Sequence, residues 1–149
     1  MTATMTDLVF QVAEEVFSAL VDGKEGTLQI WDGDPVPFVD PIAAWVDVTS
    51  EWTGRALLLT ERTTADDLSR ALLRMDPSEE LVHEDLVDAF GEVANVVGGN
   101  LKSIVATRGV LSLPSVGAMP PEPEDATLIE EMRLDWRGRL IVVRIVFVP

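Results

Sequence analysis

The sequence predicts an α+β fold, an antiparallel β-sheet with long α-helices packed on it. Two observations predict it. The apolar pattern alternates between helical and strand periods in the order helix, strands, helix, helix, strands. The strands fall into adjacent pairs joined by tight turns, which is how antiparallel neighbours connect. With 149 residues the chain is one domain's worth, and residues 1–149 are read as a single domain.

Residues Met5 to Val21 form the first expected helix, with Leu8, Val9, Val12, Val16, Ala19 and Leu20 at helical spacing. "DGKEG" stops it. A turn-rich stretch follows, with short apolar pieces at Leu28–Trp31 and Val36–Val39. Ala43–Thr49 and Gly54–Thr60 read as two strands around the turn "EWTG". "TTADDLSRALLRMDP" reads as a helix with Thr64 as N-cap, Asp67 at the capping-box offset, and Asp76-Pro77 closing it. A long helix spans Val82 to Ala106. Pro114 to Asp125 is a proline-rich acidic loop expected to lack regular structure, and the C-terminal segment is a hairpin turning near Trp136-Arg137-Gly138.

Charge narrows the function classes. The net charge is -15, with 11 basic against 26 acidic residues. Nucleic-acid binding needs phosphate neutralisation by Lys and Arg, and an anionic membrane surface would repel the chain, so neither is an expected partner. The absence of cysteine excludes disulfides, thiolate catalysis and Cys-based zinc sites. No basic region followed by an apolar run opens the chain, and no stretch reaches the roughly 18 apolar residues of a membrane span. A cytoplasmic protein is expected.

The long helix raises the functional question. At about 100° per residue, Leu86, Phe90, Val93, Val97, Leu101 and Ile104 fall within about 60–80° of arc. The opposite side collects Glu84, Asp88, Glu92, Asn95, Gly99 and Lys102, with Glu92 and Asn95 three residues apart and therefore neighbours. A solvated polar face explains the acids. It does not explain Gly91, Gly98 and Gly99, which point away from the stripe and each cost about 0.8–1 kcal/mol relative to Ala. Either the glycines serve a bend or close packing within the chain, or they let a partner's backbone approach while Glu92 and Asn95 reach into it.

"DAFGEVANVVGGNLK", Asp88 to Lys102, resembles the signature segment of the CheC/CheX/FliY group of chemotaxis phosphatases. That motif is an acidic or serine residue, three residues, Glu, two residues, Asn, with a downstream proline; Asp88, Glu92 and Asn95 match it position for position. The flanking residues resemble CheX most closely, as does the strand-then-helix layout of "TGRALLLTERTTADDLSRALL" ahead of the motif. Pro114 is the candidate for the family proline, at a shorter spacing from Asn95 than the usual pattern. The first helix lacks a second Glu-x-x-Asn, so the chain looks like the single-site CheX type.

The resemblance implies hydrolysis of the aspartyl phosphate of a CheY-like receiver domain. It assigns Asn95 to orienting the attacking water and Glu92 to docking on the receiver's lysine. Asp88 is a supporting residue, and Gly98, Gly99 and Lys102 are partner-binding. No cofactor is expected on this chain; Mg²⁺ is expected on the partner receiver. Two alternatives keep the fold: a non-catalytic receiver-binding adaptor, and an oligomerisation module whose long helix packs on another copy. A homodimer is compatible with the CheX type.

Other features carry less. His83, with no second His, is a poor metal ligand and is expected exposed at a helix start. "DGDP", Asp32 to Pro35, lacks the remaining positions of a calcium loop. Trp31, Trp45, Trp52 and Trp136 are read as core or sheet-face residues, and no metal site is assigned.

Overall fold

The computed structural model describes residues 4–105 and 108–148. The first helix, α1, runs Met5–Val16 and continues as a π-helical turn over Phe17–Asp22. Its start is a reciprocal cap. The Thr4 hydroxyl accepts from Asp7 N at 3.1 Å, and the Asp7 carboxylate accepts from Thr4 N at 3.2 Å. Gly23, at φ 69°, ends it in the left-handed conformation that glycine adopts at least cost.

Strands β1 (Leu28–Ile30), β2 (Pro41–Thr49) and β3 (Thr53–Glu61) follow, then helices α2 (Arg62–Leu72) and α3 (His83–Val105). The chain closes with β4 (Val110–Leu111), β5 (Ser115–Gly117), β6 (Thr127–Trp136) and β7 (Arg139–Val148). The seven strands form one antiparallel sheet ordered β1-β6-β7-β3-β2-β4, with β5 also pairing β2. Both expected strand pairs are present. The β6–β7 turn has two residues with positive φ, Arg137 at 55° and Gly138 at 80°, as a two-residue hairpin turn of matching twist requires.

Alternation along the strands sorts the sheet's faces. Ile42, Ala44, Val46, Ala56, Leu58, Leu134, Trp136, Ile141 and Val143 point to the helices and form one core with Val9, Val16, Phe17, Leu68, Phe90, Val93 and Val97. The other face carries Trp45, Asp47, Arg55, Leu57 and Arg144. There Arg55 pairs with Asp47 at 2.7 Å and lies 5.8 Å from the Trp45 ring. Glu122, in the acidic segment after β5, bonds Arg144 at 2.6 and 3.1 Å, and Glu131 bonds the same guanidinium. The acidic segment is thereby pinned to the sheet.

The apolar piece Val36–Val39 stays outside the strands, in keeping with the turn-rich reading, and two local expectations change. The stretch read as irregular contains β5, because edge strand β2 leaves hydrogen-bonding groups that it pairs. The N-cap of α2 is Glu61 rather than Thr64. Glu61's carboxylate accepts from Val39 N and Asp40 N at 2.9 and 2.6 Å, while Thr64 is buried inside the first turn. Asp67 instead pairs with Arg70 and Arg139. Ala106, the expected end of α3, and the side chain of Ile104 lie outside the described residues.

Candidate active site on the long helix

Helix α3 lies over β2 and β3 and also packs against α1 and α2. Leu86, Phe90, Val93, Val97 and Leu101 are all buried, as the stripe requires. Ala89 and Ala94 are buried as well, so the buried arc is wider than the large residues mark. Short side chains at the stripe's margins let the helix settle closer to the sheet.

The glycines divide accordingly. Gly98 corrects the wheel: it faces the sheet, and a Cβ there would overlap the Val46 side chain of β2. Its smallness serves internal packing and not an approaching partner, because it is buried. Gly91 is also buried. A Cβ on it would sit 3.4 Å from Pro114 and from Val116. Gly99 is half-buried, and a Cβ there would meet only Leu111, at 3.8 Å.

Asp88 and Glu92 are exposed, and Asn95, Gly99 and Lys102 are half-buried. The side chains of Asp88, Glu92 and Asn95 make no hydrogen bond or ion pair among the described residues. Asp88 and Glu92 stand four apart, a like-charge spacing that costs a helix about 0.2–0.5 kcal/mol. Nothing inside the fold offsets that cost. The face thus presents acceptor oxygens from the carboxylates and, at Asn95, an amide that both donates and accepts.

One neighbour was not visible in the sequence. The segment holding β4 and β5 runs beside α3, Leu111 near Gly99 and Pro114 against Gly91. On that segment Val110 and Leu113 are exposed apolar side chains, 72% and 88% accessible. Their sequence signal is weak, since two apolar residues in a short loop carry no periodicity. His83 is exposed at the first turn of α3. Among the described residues no group of three or more His, Asp or Glu is placed to hold a metal ion.

The profile of the chemotaxis phosphatase CheX family matches residues 42–121, more than half of the chain, including all of α3 and Pro114. The chain belongs to the CheX family of chemotaxis phosphatases. Its fold agrees. The chain is similar to the chemotaxis protein CheX of Vibrio vulnificus, with a TM-score of 0.70 at 18% identity, over 98% of this chain and 97% of that one. It is similar to CheX of Borrelia burgdorferi, solved in a CheX–CheY–BeF3–Mg complex, with a TM-score of 0.66 at 13% identity, over 99% and 100% of the two chains. Thermotoga maritima FliY matches at 0.58 and 14% identity, over 98% of this chain and 91% of that one. No protein of curated function matches by sequence. Among the described residues, no helix is long and apolar enough to cross a membrane. Asp88, Glu92 and Asn95 lie within the matched region.

Proposed function

We propose that the chain acts in the cytoplasm as one CheX-like domain that hydrolyses the aspartyl phosphate of a CheY-like receiver. The observation that carries this reading is the row of Asp88, Glu92 and Asn95 on the outward face of α3, without partners among the described residues and inside the region matched to the family. The complex of the Borrelia relative with CheY supports the choice of partner.

An acyl phosphate is already activated, and the receiver would supply its own Mg²⁺ and lysine to hold the phosphoryl group. What remains is a water held in line with the breaking P–O bond, a task of positioning and electrostatics. Asn95 suits it, because an amide orients a water without titrating near neutrality. Glu92 pairs with the receiver's lysine and sets the register of docking. Asp88 supports the row, while Gly99 and Lys102 lie along the approach. Val110 and Leu113 form an apolar rim that the receiver covers.

The test mixes the purified chain, Mg²⁺ and CheY-like receivers phosphorylated by a small phosphodonor, and follows phosphate release. Wild type is expected to accelerate release and Asn95→Ala to bind the receiver with the acceleration gone. Equal rates for the two would reduce the chain to a binding adaptor. Glu92→Ala is expected to weaken receiver binding about tenfold, or about 1.4 kcal/mol. The oligomerisation reading loses its footing at Gly98, which is enclosed by the chain's own sheet.

A further inference from the structure

We propose that the cleft between α2, the end of the π-helical turn and the β6–β7 turn is a binding site for a small phosphate-bearing anion. Its volume is about 450 Å³, within the range of small-ligand sites. Four arginines line it, Arg70, Arg74, Arg137 and Arg139, out of only 11 basic residues in a chain of net charge -15. Such a concentration runs against the composition of the rest of the surface.

The two acids in the cleft are committed to shaping it. The Asp22 side chain is fully buried and accepts from Trp136 Nε1 at 3.0 Å, from Thr27 and from Arg137 at 2.7 Å. Asp67 accepts from Arg70 at 2.9 Å and from Arg139. Arg137 is further steadied over the Trp136 ring, 4.5 Å from its centroid. Two carboxylates therefore hold three guanidinium groups. With Arg74 added, four positive charges face two negative ones, an excess that a dianionic phosphate balances.

Arg74 is the telling residue. At φ 60° it is the left-handed residue that closes α2, with Arg74 N donating to Ala71 O at 3.2 Å and Met75 N to Arg70 O at 2.9 Å, so its backbone is explained by the helix end and its side chain is what is left to explain. Its side chain forms no hydrogen bond or ion pair among the described residues. Its guanidinium lies against the bare backbone of Gly23, with Nη1 3.3 Å from where a Cβ would stand. Guanidinium donors without a partner in the described chain, beside three guanidinium groups that are already held, are accounted for by a ligand that takes them. Guanidinium forks match phosphate oxygens in pairs, which favours phosphate over a point-charge anion. Met75 and Pro77 supply an apolar wall for whatever carries the phosphate. None of these residues belongs to α3, and the proposal stands independently of the phosphatase reading.

Calorimetric titration of the full chain tests it, with inorganic pyrophosphate, inorganic phosphate and ADP as probes at ionic strength matched with sodium chloride. Saturable 1:1 binding of at least one probe is expected. ADP tighter than pyrophosphate identifies a nucleotide site, and equal affinity identifies recognition of the phosphates alone. Arg74→Gly suits the left-handed backbone, so it keeps the fold while weakening binding at least tenfold; Arg74→Lys retains part of the affinity. Absence of saturable binding by all three probes, or unchanged affinity in Arg74→Gly, overturns the proposal.

Discussion

Two polar surfaces of this molecule differ in what satisfies them. On the sheet face away from the helices, Arg144 is held by Glu122 and Glu131, and Arg55 by Asp47. On the outward face of α3, Asp88, Glu92 and Asn95 are held by nothing in the described chain. The first surface is closed on itself, and replacing its groups should read out as stability. The second is open, with two carboxylates one turn apart at a small cost to the helix, and its groups should read out as activity. Within the described chain, the fold neither uses nor neutralises this polar row.

The comparison breaks most readily at Asn95. Asn95→Ala is expected to lower receiver dephosphorylation about 100-fold, or about 2.7 kcal/mol of transition-state stabilisation. Its melting temperature should stay within a degree or two of wild type, since no internal hydrogen bond is lost. A large fall in melting temperature would move Asn95 to the structural class.

Gly98 and Gly99 sharpen the same contrast within one turn of helix. Gly98→Ala forces a methyl into Val46 and is expected to destabilise the fold by about 1–3 kcal/mol, measured by denaturant unfolding. Gly99→Ala meets only ordinary contact with Leu111, so the gain in helix propensity prevails, about 0.8–1 kcal/mol of stabilisation. Opposite signs at adjacent positions are the expected result. The same sign at both would mean that the helix is rotated from the orientation described.

How much of this was legible beforehand depended on whether a signal was local. The β2–β3 and β6–β7 pairs, the start of α3 and the outward Glu92–Asn95 face followed from periodicity and turn chemistry, which neighbouring residues carry. Gly98 did not, because a glycine has no hydrophobicity to place it on a wheel and its burial depends on Val46, some 50 residues away in sequence. The cap of α2 moved because Glu61 serves the 39–40 loop with its side chain while Thr64 turns into the core. The arginine cleft had no sequence signature at all. Its lining comes from α2, the turn before Gly23 and the β6–β7 hairpin, and only the closed sheet brings them together.

The smallest expected effect belongs to the closed surface and depends on pH. Arg144's hydrogen bonds hold the Glu122 carboxyl below the ordinary glutamate value of 4.5, against the opposing effect of burial. The folded state therefore binds this proton less readily than the unfolded state does. The resulting stabilisation is fully present above the ordinary value and is lost as pH falls through the depressed one. Both side chains are partly exposed, so the pair contributes at most about 1 kcal/mol. Wild type should exceed Glu122→Gln in unfolding free energy by a constant amount near neutrality, with the gap closing in acid below the ordinary glutamate range. Arg144 keeps Glu131 in the variant, which limits the loss. A gap that persists undiminished in acid would show that the acidic segment is held to the sheet by packing rather than by this ion pair.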